Sequence, residues 1–324
     1  MRPQHSVIYT GGGGRLGNQL IRCAHWLAWA RAQAGNVEVI NLAFWPFAEY
    51  FATWTDNRGC IFPPRRSDTA DLTARLSAHL PAWLRTRMEW RWQKLVQNTG
   101  RWWPRWQSIS LQDDAGEEID LDSPTFAARI SRCRVTTCEG WKIAGWQHFS
   151  KQQAELRSFF VPAHQFVRQG RDFIAALRQN HDIVAGLLIR QTDYRQWRDG
   201  RFYFSGSQYA TWIRQLLDVY AAKRVAVVVA SDERQDPDLF AGLPCYFATG
   251  SANAGGHWFE SFVQLSGCDF VMSPPSTFST AATFVGNIPL WPLVDENQTL
   301  AQEQLMINSV IEAARHPVFS AAVK

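Results

Sequence analysis

Between residues 183 and 285, apolar runs of strand length alternate with amphipathic stretches of helix length, and this alternation constrains the chain more than any other feature. Ile183 to Ile189, Val225 to Ala230 and Phe270 to Met272 are the apolar runs. The segments around Ser207 to Ala222 and Trp258 to Gly267 are the amphipathic ones. A strand followed by a covering helix and another strand closes most readily as a parallel sheet with helices on its faces. Such sheets bind ligands beyond the carboxyl ends of their strands. The polar residues lie there: Arg190-Gln191-Thr192-Asp193-Tyr194 follows the first run, Ser231-Asp232-Glu233 the second, and Ser273-Pro274-Pro275-Ser276-Thr277-Phe278-Ser279 the third.

The first half opens in a similar way. Val7-Ile8-Tyr9 reads as a strand, then comes TGGGGRLGNQLIRCAHWLAWARAQAG, in which Leu16, Leu20, Ala24, Leu27 and Ala30 recur at helical spacing and Gly35 stands where a C-terminal cap is expected. Val37 to Ile40 reads as the next strand. Gly12, Gly14 and Gly17 fit the G-x-G-x-x-G pattern of a dinucleotide cradle. That cradle also needs an acid at the end of the second strand, about 20 residues on. Glu38 has the distance but reads as mid-strand, and the strand end offers Asn41.

A chain of 324 residues suits two domains, and the boundary is placed to give 1–165 and 166–324. Hydrophobic residues make up 46% and charged ones 19%, the balance of a folded protein. A net charge of +4 is too mild for a nucleic-acid binder. The six cysteines form no C-x-x-C pair, so a reduced, cytoplasmic setting is expected. No stretch reads as a signal peptide or as the apolar span that a membrane requires.

Residues at the three strand ends have plain and sharp readings. Arg190 offers a fork of donors matched to phosphate, or pairs with Asp193 at the surface. Ser276, Thr277 and Ser279 at a helix start can meet an anion, or simply cap the helix. Ser231-Asp232-Glu233 suits a ribose or the amino edge of a guanine, or a cap. Their joint placement favours a nucleotide diphosphate.

Taken in order, GGRLGNQLIRCAHWLAWA (Gly13 to Ala30), LLIRQTDY (Leu187 to Tyr194), SDE (Ser231 to Glu233) and FVQLSGCDFVMSPPSTFSTAATF (Phe262 to Phe284) resemble the motifs of bacterial α-1,2-fucosyltransferases. They also resemble the related chitin-oligosaccharide and protein O-fucosyltransferases. The resemblance implies a GT-B-like α/β fold, two Rossmann-like domains facing a cleft, with 1–165 on the acceptor side and 166–324 binding the nucleotide sugar. It implies inverting, metal-independent transfer of fucose or a close sugar from a GDP-sugar to a glycan hydroxyl, on a surface polysaccharide or a lipid-linked oligosaccharide. No cofactor beyond the donor is implied. Donor contacts fall on Arg190, Ser231, Asp232, Ser276, Thr277, Phe278 and Ser279, and the other side of the cleft on Arg15, Gly17, Asn18 and Gln19. The family's H-x-R-R-x-D-Y motif is changed here, with Leu188 for the histidine and Gln191 for the second arginine.

For the general base, Asp193 is the first candidate and Glu260 the second. Asp193 has the alternative of only orienting Arg190. Asp120-Leu121-Asp122 matches the D-x-D of metal-dependent transferases by letters, but lies in an acidic stretch, and no metal is expected. Trp83 to Trp106 holds six tryptophans among Arg85, Arg87, Arg91, Lys94, Arg101 and Arg105. It reads as a core-facing helix, as a patch for an anionic membrane at the inner face, or as a platform for acceptor sugars. Two other functions stay open: a non-catalytic GDP-sugar or glycan-binding module, and an NAD-dependent oxidoreductase.

Overall fold

The computed structural model describes residues 3–11, 14–52, 60–61, 106–110, 119–140, 142–300, 307 and 310–315. The chain divides into two compact units, Met1–Phe160 and Val161–Lys324.

In the first unit, β1 (His5–Gly11), α1 (Leu16–Ala32), β2 (Val37–Asn41), a short α2 (Trp45–Ala48), β3 (Cys60–Ile61) and β4 (Trp106–Ser110) come first. Then follow β5 (Ile119–Asp120), α3 (Pro124–Ile130), β6 (Val135–Glu139), β7 (Ile143–Ala144) and α4 (Trp146–Phe159). The main sheet is parallel, in the order β3-β2-β1-β6-β4. Trp106, the last residue of the tryptophan-rich stretch, starts β4 and donates from Nε1 to Thr137 Oγ1 at 2.7 Å. It is therefore a sheet residue. The rest of the stretch lies outside the described residues.

The sequence shows one apolar stripe on α1, yet the helix is buried nearly all round, as expected for a helix with neighbours on both sides. Trp26 and Trp29 pack with Tyr9 and Phe126. On the other side His25 meets Trp146 and Phe149 of α4, with ring centroids 4.4 and 4.9 Å away. Burying side chains of this size stabilises by roughly 1.5–3 kcal/mol each.

His25 also accepts a hydrogen bond at Nδ1 from Gly145 N–H, 3.1 Å. Burial holds its pKa down to about 3 from an ordinary 6.5. The unfolded chain thus takes up a proton between these values that the folded chain refuses. Stability is full above pH 6.5 and falls as pH drops toward 3, by ~1.4 kcal/mol per unit for this group. Melts between pH 7.5 and 4.5 are expected to show this loss, with a flatter profile for His25→Gln; superimposable slopes would refute it.

The second unit contains α5 (His164–Asn180), β8 (Ile183–Ile189), α6 (Gly206–Val219), β9 (Val225–Ser231) and β10 (Cys245–Phe247). After these come α7 (Trp258–Ser266), β11 (Phe270–Ser273), α8 (Thr277–Gly286), β12 (Leu290–Pro292) and α9 (Val310–Arg315). All five strands are parallel, in the order β10-β9-β8-β11-β12. Ala185, Leu187 and Ile189 of β8 share a core with Tyr209, Trp212, Ile213 and Leu216 of α6. The opposite face of β8 meets α7 at Gly186, where a Cβ would lie 2.9 Å from Leu265 Cδ2. Covered faces explain why these strands read as unbroken apolar runs.

Chain order reverses between β8 and β11, because β9 and β10 are laid down on one side and β11 and β12 on the other. The crevice at such a reversal is where open parallel sheets bind ligands. Gly286 lets the end of α8 pack close against the end of α7: a Cβ there would fall 2.2 Å from Ser266 O. Among the described residues, no helix is long and apolar enough to cross a membrane.

Candidate functional site

Arg190 is the first residue beyond β8 and stands at the reversal point. Its guanidinium bonds Asp193 at 2.5 Å and Asp232 at 3.1 Å, and lies over the Tyr194 ring, 5.1 Å from the centroid. Only 13% of the side chain is exposed, and the buried Nε–H has no partner. An arginine so fixed has N–H groups to spare, and its Nε–H lies in a place shielded from water. Burying such a donor is costly unless something accepts from it.

Across the crevice, α8 begins directly after β11. Ser276 caps it, its Oγ accepting from Phe278 N–H at 3.3 Å. The N–H groups of Thr277 and Ser279 donate to no acceptor among the described residues. The helix dipole adds positive potential at the same place. Tyr194 ties the two strand ends together, since its hydroxyl donates to Pro275 O. Burial raises the Tyr194 pKa, so the phenol stays protonated and the bridge holds. A buried guanidinium donor, free backbone N–H groups and a helix N-terminus form a cradle for an oxyanion.

Asp232 is engaged by the protein itself. Its Oδ1 accepts from Gln191 N–H at 2.9 Å, and its Oδ2 from Thr192 Oγ1 at 2.6 Å as well as from Arg190. The carboxylate is turned toward the loop after β8 and holds that loop in shape. Ser231 is likewise turned inward, its Oγ donating to Glu233 O at 2.6 Å and accepting from Gln235. Gln191 is buried, donating to Phe204 O at 2.8 Å and accepting from Gln235 Nε2 at 2.7 Å. The amide in place of a second motif arginine thus serves as a rivet under the rim.

Ser279 is fully buried and spends its hydroxyl on Ser276 O, 2.9 Å. At the rim itself, α8 presents the half-buried Thr277 and Phe278; the Phe278 ring packs edge-on against Phe262 of α7, 5.5 Å between centroids. Asp193 is half exposed and pairs with Arg190. Glu260 lies in the first turn of α7, and no bond among the described residues joins it to Arg190 or Asp193.

A point mutant of FUT1 from Arabidopsis thaliana in complex with GDP aligns over 89% of this chain and 70% of its own, with a TM-score of 0.52 at 14% identity. POFUT1 in complex with GDP covers 88% and 95% (TM-score 0.49, 11% identity). The fucosyltransferase NodZ from Bradyrhizobium covers 95% and 100% (TM-score 0.47, 16% identity). The fold is GT-B-like. No family model matches the sequence, and no curated protein matches it closely enough to mark a relative.

The remaining expected residues fall in the first unit. Arg15 is exposed at the start of α1 and Asn18 half-buried, whereas Gly17 and Gln19 are buried. Gly11 precedes them with φ +79°, and a Cβ on it would lie 2.4 Å from that of Ala43. Gly12 and Gly13 lie outside the described residues. For a dinucleotide the geometry is poor: Glu38 is mid-strand and accepts from Ser6 Oγ at 2.8 Å, and β2 ends on buried Asn41, which accepts from Phe44 N–H. Asp122 of the D-x-D letters caps α4, accepting from Gln147 N–H at 2.6 Å. Among the described residues no cluster of metal-ligating side chains occurs. Reading the sequence missed Tyr194 as a bridge and Gln235 as a rivet; for Tyr194 the signal was an aromatic ending the first polar rim.

Proposed function

We propose that the second unit binds the diphosphate of a GDP-sugar at the β8/β11 reversal, and that the protein is an inverting, metal-independent fucosyltransferase-like glycosyltransferase. The observation that carries this is the unpartnered Arg190 Nε–H at the end of β8, beside β11, whose following helix starts with free N–H groups. That the GT-B-like neighbours include fucosyltransferases with GDP bound supports guanine as the base and fucose, or a close sugar, as the cargo. The acceptor is a glycan hydroxyl, on a surface polysaccharide or a lipid-linked oligosaccharide; docking of the tryptophan-rich stretch that precedes β4 on an anionic membrane belongs to the same proposal.

Breaking the glycosyl-phosphate bond builds negative charge on the departing diphosphate. Arg190 and the start of α8 meet it with donors already in place, so little reorganisation is needed as the bond breaks. The acceptor hydroxyl attacks the opposite face of the sugar. Asp193 is engaged in orienting Arg190, which leaves Glu260 as the base for the hydroxyl proton. Glu260→Gln is then expected to lower kcat by about 10²-fold or more with donor KM nearly unchanged; wild-type kcat would exclude this role.

Release of GDP from GDP-fucose, measured in EDTA with a glycan acceptor mixture, tests the proposal. Buried Leu188 and Gln191, where the resembling motif has histidine and arginine, favour a second reading as a binding module. GDP binding with no turnover on any GDP-sugar would select it.

A further inference from the structure

The loop that leaves the cradle after Tyr194 carries cationic groups that a diphosphate held by Arg190 and α8 does not use. Arg198, Asp199 and Gly200 are three successive left-handed residues, with φ of 51°, 57° and 76°. For arginine this backbone is uncommon, and outliers of this kind concentrate at ligand-binding positions. The loop is nonetheless held firmly. Trp197 N–H donates to Asp193 O at 2.9 Å, Arg201 N–H to Arg198 O at 3.1 Å and Tyr203 N–H to Gly200 O at 2.9 Å. The Trp197 ring packs between Tyr194 (4.9 Å) and buried Phe202 (5.5 Å).

On this aromatic base, Arg198 lies over Trp197 at 5.4 Å and Arg201 over Phe202 at 5.3 Å. Both are exposed, and neither has an ion-pair partner among the described residues. The nearby Arg195 differs, being closed off by a two-pronged bond to Glu233. Stacked guanidiniums keep their N–H edges for a planar or tetrahedral oxyanion. We propose that Arg198 and Arg201 form an anion subsite for the acceptor, which takes a glycan bearing a carboxylate or phosphate group. The word acceptor rests on the glycosyltransferase reading; the anion subsite itself does not.

Protein saturated with GDP, so that the cradle is filled, is titrated calorimetrically with tetragalacturonate as the carboxylate source, glucose 1-phosphate as the phosphate source, and maltotetraose as a neutral control. The comparison is with Arg198→Asn/Arg201→Gln, in which asparagine tolerates the left-handed backbone. At least one anionic probe is expected to bind the wild type and to bind the double variant about tenfold or more weakly, with GDP affinity and the maltotetraose response unchanged. The proposal is overturned if neither anion binds, if the variant binds them equally well, or if maltotetraose is lost in parallel. Should GDP itself fail to bind, the donor reading falls, and the same titration on Arg190→Ala protein still reads Arg198 and Arg201 alone.

Discussion

Replacing Arg190 with alanine is expected to reduce sugar transfer by about 10²–10³-fold, the scale of losing a preorganised donor to a developing oxyanion. The substitution removes the unpartnered Nε–H and the two arms that Asp193 and Asp232 hold. Arg190→Lys is expected to fall between alanine and wild type, because an ammonium keeps the charge without the fork. The unit should stay folded, since β8 and its core with α6 do not depend on this side chain. Turnover by the alanine variant within tenfold of wild type would show that the diphosphate departs elsewhere.

Asp232→Asn is expected to be the next most damaging change, costing about 10–100-fold in transfer. One carboxylate serves Gln191 N–H, Thr192 Oγ1 and the Arg190 guanidinium together. An amide must turn its NH₂ toward one of these donors, so either the loop or the arginine loses its anchor. Positioning and nucleotide reading make different forecasts. If Asp232 acts through Arg190, the loss in Asp232→Asn/Arg190→Lys is much smaller than the sum of the two single losses, a coupling that a double-mutant cycle measures. Additive losses, with GDP no longer preferred over other nucleotides, would make Asp232 a base or ribose contact instead.

The sequence made the second unit legible because its strands are covered on both faces, leaving unbroken apolar runs that end abruptly in polar residues. β10 and β12 were missed: each has three residues, too few for a periodic signal. The rim was legible as a list of residues but not as directions. Nothing in their letters sets Ser231, Asp232 and Ser279 apart from Arg190 and Thr277, yet the first two satisfy the rim loops and Ser279 the cap of its own helix. Burial decides that, and burial depends on neighbours far along the chain. In the first unit, the stripe on α1 revealed one buried side, while the burial of His25 depends on α4, more than a hundred residues later. Gln19 is polar and still buried, which its letter alone does not reveal.

The most direct test of the central claim is a thermal-shift panel of GDP, UDP, CMP and NAD on the wild-type protein. GDP at a hundredfold excess over its Kd adds ~2.7 kcal/mol to the unit that binds it, which corresponds to a rise in Tm of about 5–10 °C. GDP is expected to give that rise, UDP and CMP a smaller one and NAD none, and the GDP shift is expected to be lost in Arg190→Ala. Stabilisation by NAD alone, or a GDP shift that survives in Arg190→Ala, would contradict diphosphate binding at Arg190.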